Sequence, residues 1–172
     1  PKPSSAASDV YKRQGTCRYD NIIQVDTDNE GAAEKMTTLL IGKGFRRFAF
    51  LVKDMSYNVD RKRHEGFCRA LIKNGISEKD QLFYNGSIRM EFLDAIIENI
   101  ISKKVECIIC GDDEICTMVM SRLQAEGYRI PKDVAIASLY NSTNLDCYSP
   151  AVTAVSVAAS QMGGTACLLY TS

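Results

Sequence analysis

The chain has 172 residues, of which 45% are hydrophobic and 24% charged, and its 21 Lys and Arg residues balance 21 Asp and Glu residues. These values are ordinary for a folded domain, and a chain without excess positive charge is a poor candidate for binding nucleic acid through phosphate contacts. No apolar run approaches the ~20 residues of a membrane helix, and the first residues lack the apolar segment of a secretory signal.

The two ends differ from the middle in composition. Residues 1–14 (PKPSSAASDVYKRQ) are rich in Pro, Ser and Ala, and residues 167–172 (CLLYTS) stop soon after a new helix begins. Frayed termini would look like this, but both ends also resemble translated sequencing-adaptor sequence, as found in gene fragments assembled from environmental reads. We therefore expect residues 1–14 and 167–172 to be non-native tails and residues 15–166 to be the natural domain.

Strands and helices are predicted to alternate along the chain. Residues 21–25 indicate a strand, and a helix from Asp28 or Asn29 to about Lys43 should stop at Gly44. Residues 48–52 (FAFLV) are apolar throughout, which is typical of a parallel strand covered on both faces. The same alternation continues with helices over 59–74, 89–102 and 113–126 and strands over 81–85 (a weaker pattern), 106–110, 133–139 and 151–157.

This alternation predicts an α/β fold, with a parallel sheet flanked by helices on both faces. In such sheets ligands bind outside the carboxyl ends of the strands. The loops expected at that edge are 53–58, 85–87, 111–114 and 140–144.

The chain has seven cysteines, and two of them form the motif CIIC at 107–110. This spacing is typical of redox and zinc sites, but in a strand residues three apart point to opposite faces. Buried free cysteines behave as small hydrophobic residues. We therefore expect reduced thiols, as in a cytosolic protein, and no metal site.

Helical spacing predicts which side chains of the charged segment at residues 60–64 (DRKRH) face inward. Stepping back three positions from Gly66, on the apolar stripe, reaches Arg63. We expect Arg63 to face the crevice from the first turn, where its guanidinium can chelate hydroxyls or a carboxylate. A structural ion pair with Asp54 or Asp112 is the alternative. The other basic side chains should form a solvated surface: Arg61, Lys62 and His64.

Paired carboxylates follow a buried strand in the stretch GDDE, residues 111–114. One of Asp112 and Asp113 should cap the next helix, which leaves the other carboxylate pointing into the crevice. Clustered acids here would also suit Mg²⁺ in a phosphotransfer or phosphatase domain. In that alternative Asp54, with Lys53 beside it, would complete the site.

A polyhydroxyl ligand would need the same acceptors, an arginine donor and an aromatic face. Tyr57 and Tyr140 lie on loops of the same edge and could supply the aromatic face. No catalytic constellation is apparent, because the single histidine, His64, is expected to face outward. We therefore expect no enzymatic activity, no metal and no cofactor.

Motifs spread over residues 20–162 resemble the LacI/GalR (lactose-repressor) family of transcription regulators. The matching stretches are DNEGAA (28–33), KGFRRFAFL (43–51), RHEGFCRAL (63–71), CGDDE (110–114), GYRIPKDVAI (127–136) and PAVTAV (150–155). The resemblance implies a fold like that of type I periplasmic binding proteins, and it covers mostly the second, C-terminal lobe.

The resemblance also implies a set of effector-binding residues. The arginine of the family's R-x-x-G motif grips the effector, and here it is Arg63. Asp112 stands at a position that often contacts the ligand, and Tyr57 at one that lines the pocket. Two departures concern Tyr140, which replaces a frequent aspartate, and Gly86, which replaces a frequent aromatic. Because of these departures, the resemblance does not indicate that one of the family's usual sugar or purine effectors binds here.

The function implied is that of a ligand-sensing lobe from a cytoplasmic transcriptional regulator, a repressor by family type. Its effector would be small and polar, such as a sugar or sugar derivative. Operator DNA would be bound only through an N-terminal helix-turn-helix that is missing here, by a homodimer of the full-length protein. The alternatives are a secreted solute-binding protein of the same fold and the Mg²⁺-dependent domain described above.

Overall fold

The structure is a computed structural model that describes residues 27–86 and 90–155. The predicted strand at 21–25, both predicted tails and the end of the predicted strand at 151–157 lie outside the described residues. From Asn29 onward the described elements belong to one compact unit. Within them, no helix is both long and apolar enough to cross a lipid bilayer.

Helices and strands alternate as the sequence predicts. The helices are α1 Asn29–Gly42, α2 Asn58–Lys73, α3 Met90–Ser102, α4 Asp113–Ala125 and α5 Thr143–Asp146, with a short 3-10 helix at Glu78–Asp80. The strands are β1 Phe48–Val52, β2 Leu82–Asn85, β3 Cys107–Cys110, β4 Ala135–Ser138 and β5 Thr153–Ala154. The helix α5 and the 3-10 helix are additions that the sequence pattern did not predict.

The strands form one parallel sheet in the order β2-β1-β3-β4-β5. Phe50 of β1 lies opposite Phe83 of β2 on one side and Ile109 of β3 on the other. Helices connect the successive strands, as parallel pairing requires. The predicted α/β fold with a parallel, helix-flanked sheet is confirmed.

Each face of the sheet has its own hydrophobic core. Phe48, Phe50 and Val52 of β1 pack toward α1 and α2, whereas Ala49 and Leu51 pack toward α3 and α4. All of these β1 side chains are fully buried. The uninterrupted apolar run therefore arises because alternate residues of β1 fill two different cores.

The two cysteines of CIIC follow the same alternation. Cys107 packs in the core with α1 and α2, and Cys110 in the core with α3 and α4. Both are buried free thiols, and burial raises the pKa of Cys107 to about 12. Thiols that cannot ionise near neutral pH are poor nucleophiles and poor metal ligands, as expected for hydrophobic core residues.

Helices α1 and α2 are in close backbone contact at Gly66. A Cβ atom built on Gly66 would lie 2.9 Å from the carbonyl carbon of Glu30 and 3.0 Å from the backbone nitrogen of Glu34. Only glycine leaves room for this contact between two backbones. The glycine of the R-x-x-G motif is therefore explained by helix packing.

Candidate functional site

The loops that follow the strands gather at the carboxyl edge of the sheet. Hydrogen bonds extend beyond the strands there: the backbone N–H of Gly111 donates to the carbonyl of Leu51 at 2.7 Å, and that of Gly86 donates to the carbonyl of Lys53 at 2.9 Å. A Cβ on Gly111 would lie 3.1 Å from both that carbonyl oxygen and the side chain of Val52. The edge is therefore tightly built around the end of β1.

Arg63 lies in the second turn of α2, one turn later than the sequence predicts, and its side chain is buried. Its Nη1 donates to the carbonyl of Gly111 at 2.8 Å, and its Nε donates to Oδ1 of Asn29 at 3.1 Å. Gly111 directly follows β3, so the guanidinium reaches the carboxyl edge of the sheet, as the spacing predicts. It joins the start of α1 to the end of β3.

The carboxylate beside Arg63 belongs to Asp60, whose Oδ1 lies 3.9 Å from Nη1. Asp60 is itself only 7% exposed, and its Oδ2 accepts a hydrogen bond from the backbone N–H of Asp54 at 3.0 Å. The sequence analysis missed Asp60 and Asn29. The spacing of three residues between Asp60 and Arg63 was a usable signal for the first, but nothing local points to Asn29.

Asp112 is the residue that caps α4. Its Oδ1 accepts a hydrogen bond from the backbone N–H of Ile115 at 2.9 Å, and its Oδ2 lies 2.9 Å from Nζ of Lys53. Of the two acids that could have been the cap, the structure selects Asp112. Asp113 is half-buried in the first turn of the helix.

Lys53 follows β1 and connects two carboxylates. Besides Asp112, it contacts Oε2 of Glu114 at 2.6 Å. Burial alone would lower the pKa of Lys53, but hydrogen bonds to Glu114 and Asp112 outweigh burial and raise the pKa. Lys53 therefore remains an ammonium ion whose charge is matched by its neighbours.

The arrangement of acids does not favour the Mg²⁺ alternative. Asp54 accepts a hydrogen bond from the backbone N–H of Ser56 at 2.8 Å, and this bond lowers the pKa of Asp54. Asp112 is held by the helix cap and by Lys53. Across residues 27–86 and 90–155, no three His, Cys, Asp or Glu side chains are arranged to hold a metal ion.

The two predicted tyrosines differ in exposure. Tyr57 immediately precedes α2 and is 64% exposed. Tyr140 follows β4 and is half-buried. The backbone of Tyr140 is held by Ser138, whose hydroxyl donates to the Tyr140 carbonyl at 2.7 Å. Of these two tyrosines, Tyr57 is the more exposed.

A cavity of about 510 Å³ opens at this edge between the ends of β1 and β2 and the start of α4. Its walls include Lys53, Asp54, Tyr57, Glu114, Ile115 and Met118. Of the four predicted ligand contacts, Tyr57 lines the cavity. Asp112 touches the lining residue Lys53, while Arg63 and Tyr140 lie elsewhere on the same edge.

A larger cavity of about 1060 Å³ lies at the opposite, amino edge of the sheet. Its walls include Lys43, Lys104 and Glu126, each just after a helix ends. Lysines near helix C-termini interact favourably with the helix dipole, which gives them a structural explanation. The carboxyl edge is the better candidate, because ligands of parallel sheets bind there.

The remaining basic residues of DRKRH do not all behave as predicted. Arg61 is exposed and Lys62 half-exposed, in agreement with a solvated surface. His64, however, is half-buried, with its ring centroid 4.3 Å from that of Phe83. The prediction of a solvated His64 was wrong, because edge strand β2 places Phe83 against the outer side of α2.

The sequence model described as "Periplasmic binding protein-like domain" matches residues 37–172. The chain belongs to the periplasmic binding protein-like family. Catabolite control protein A of Staphylococcus xylosus is 26% identical over 79% of the chain and 41% of its own length. The chain thus spans about two fifths of this curated relative.

Solved structures give the same result for the fold. The transcription regulator CcpA of Lactococcus lactis has a TM-score of 0.81 at 22% identity, over 94% of this chain and 59% of its own. A structure described as a complex of the transcriptional regulator CelR with cellobiose has a TM-score of 0.76 at 24% identity, over 92% of this chain and 49% of its own. The predicted resemblance of this chain to LacI/GalR regulators is confirmed.

Proposed function

We propose that this chain is the effector-sensing lobe of a LacI-type transcriptional regulator, with Arg63, Asp112, Tyr57 and Tyr140 at or beside the effector. The observation that carries the proposal is the position of Arg63. Its guanidinium donates at 2.8 Å to the carbonyl of Gly111, directly after β3, at the edge where sheets of this type bind ligands. The descriptions of two structural relatives as transcription regulators support the same function.

The effector is a small polar molecule, in this proposal a sugar or sugar derivative. Tyr57 offers an exposed aromatic face, and Asp54 and Glu114 offer hydroxyl acceptors beside it. The cellobiose complex of a protein with this fold supports this ligand class. The proposal involves binding alone and requires no metal, cofactor or covalent step.

Sensing would operate by a shift between conformations. An effector held between this lobe and a second lobe stabilises one relative orientation, and coupling of this kind is typically worth about 1–3 kcal/mol. Residues 15–166 are the native part of this lobe in our proposal. In this proposal, a cytoplasmic homodimer binds DNA through a helix-turn-helix outside this chain. It represses transcription until effector binding changes its conformation.

Arg63→Ala tests the assignment in a protein that carries this chain together with its DNA-binding part. We expect the variant to lose the transcriptional response to the effector, measured with a reporter gene. Arg61→Ala is the matched control, because Arg61 is an exposed arginine on the same helix. The control should keep the response.

Arg63 is also a structural residue, so the variant needs a stability measurement. Losing its bonds to Asn29 and Gly111 should cost about 1–3 kcal/mol. We therefore also propose Arg63→Lys, which keeps the charge but not the planar fork. A folded Arg63→Ala or Arg63→Lys protein that responds normally to the effector would refute the role of Arg63.

A further inference from the structure

The cavity at the carboxyl edge differs from a phosphate-binding pocket in its charge. Its volume of about 510 Å³ lies within the range of about 300–1,000 Å³ that is typical of small-molecule sites. Among the described residues that line it, Lys53 is the cation and Asp54 and Glu114 are the anions. Two carboxylates against one ammonium ion give the wall a net negative charge.

The positive charge in the wall is already matched. Nζ of Lys53 lies 2.6 Å from Oε2 of Glu114 and 2.9 Å from Oδ2 of Asp112. An incoming phosphate could use this ammonium ion only by displacing a carboxylate. Asp112 would resist displacement, because its other oxygen caps α4 at 2.9 Å from the N–H of Ile115.

The other wall residues suit a ligand without charge. Tyr57 is 64% exposed, and an aromatic face with nearby carboxylate acceptors fits the alternating apolar and hydroxyl surfaces of a sugar. Ile115 and Met118 add apolar surface on the α4 side. Gly86 contributes no side chain, and within residues 27–86 and 90–155 nothing lies within 4 Å of where its Cβ would be.

We propose that this cavity selects an uncharged polyhydroxyl group and rejects phosphorylated ligands, with Glu114 and Asp54 as the residues that set this specificity. The inference rests on the proposed function, since it concerns the same effector edge, and it narrows the effector to a neutral sugar. A sugar phosphate would bring like charges together, for which we expect affinity lower by roughly tenfold or more.

The test is an NMR titration of the ¹⁵N-labelled protein that carries this lobe together with its second lobe. The amides of residues 53–57, 86 and 114–118 are followed during addition of a panel of neutral mono- and disaccharides, and separately of inorganic phosphate. We expect at least one saccharide to shift these signals saturably and phosphate to leave them unchanged at equal concentration. Saturable shifts with phosphate, or none with any saccharide, would overturn the proposal.

A variant without the two lining carboxylates makes the test sharper. Asp54→Asn combined with Glu114→Gln removes both lining anions and frees the Lys53 Nζ donor that Glu114 occupies, so phosphate should then bind and shift the same amides. Glu98→Gln is the matched control, because Glu98 is an exposed residue of α3 that does not line the cavity. Phosphate that fails to bind the double variant would show that wall charge does not set the specificity.

The outcomes separate this proposal from the proposed function. A regulator that responds through Arg63 to a phosphorylated effector would refute the charge selection and leave the sensing role intact. A chain whose cavity binds a neutral sugar, in a protein whose transcriptional output ignores every sugar bound, would refute the sensing role and leave the charge selection intact.

Discussion

Gly66→Ala would perturb a close backbone contact between helices α1 and α2. A Cβ at this position would lie 2.9 Å from the carbonyl carbon of Glu30 and 3.0 Å from the backbone nitrogen of Glu34, whereas non-bonded carbon atoms normally sit about 3.5–4.0 Å apart. Both clashing atoms are backbone atoms, which cannot rotate away. Helices α1 and α2 would have to separate by at least about 0.5 Å.

The separation would weaken the packing of both helices. Overpacking in a core typically costs about 1–3 kcal/mol, and we expect about 3 kcal/mol here. The upper value applies because the same movement loosens the ion pairs of Glu30 with Lys62 and Arg69. For a chain of this length such a loss lowers the melting temperature by about 6–12 °C.

Urea unfolding followed by circular dichroism measures the loss directly. Gly42→Ala is the matched control, since Gly42 ends α1 and has nothing within 4 Å of a Cβ. The control should be neutral or stabilised by up to about 1 kcal/mol. A Gly66→Ala chain as stable as the unchanged one would refute the backbone contact between α1 and α2 and the packing argument built on it.

Three further predictions concern the helix cap at Asp112, the protonation of His64 and the effect of added Mg²⁺. Asp112→Ala should lower the free energy of unfolding, measured with urea, by about 1 kcal/mol. Asp113→Ala removes no cap and should lower it less, so equal losses would contradict the cap assignment. Burial lowers the pKa of His64 below its ordinary 6.5, so the unfolded chain binds the proton more readily and stability should fall as the pH drops through 6.5. Replacing His64 with Phe should weaken this dependence in urea midpoints measured across that pH range, and an unchanged dependence would assign it to other groups. Adding Mg²⁺ should leave the melting temperature unchanged in thermal scans, because a bound ion would raise it.

Much of the fold was predictable because its signals are local. The apolar run of β1 matches the observed strand, Phe48–Val52, since both faces of that strand are covered. The end of α2 was also predictable: Gly75 adopts a φ of +67°, and Ile76 donates to the carbonyl of Leu71 at 2.9 Å to close the helix. Such stops depend on one residue type at one position.

The site was predictable only in part, because most of its contacts join distant segments. Helical spacing gave the inward direction of Arg63. Its partner Asn29, however, comes from a different helix, which no spacing within α2 could indicate. His64 shows the same limit, since the ring of Phe83 that covers it belongs to strand β2. The assignment of Arg63, Asp112, Tyr57 and Tyr140 to the effector stays a prediction.

Two of the contacts that hold the first turn of α1 against α2 involve neighbouring residues of α1. Asn29 accepts a hydrogen bond from Arg63, and the neighbouring Glu30 presses its carbonyl against Gly66, one turn further along the same helix. The position of the Arg63 guanidinium therefore depends on the spacing between α1 and α2. That spacing is possible because Gly66 has no side chain. A substitution of Gly66 would therefore displace the side chain of Arg63, although Arg63 itself is unchanged.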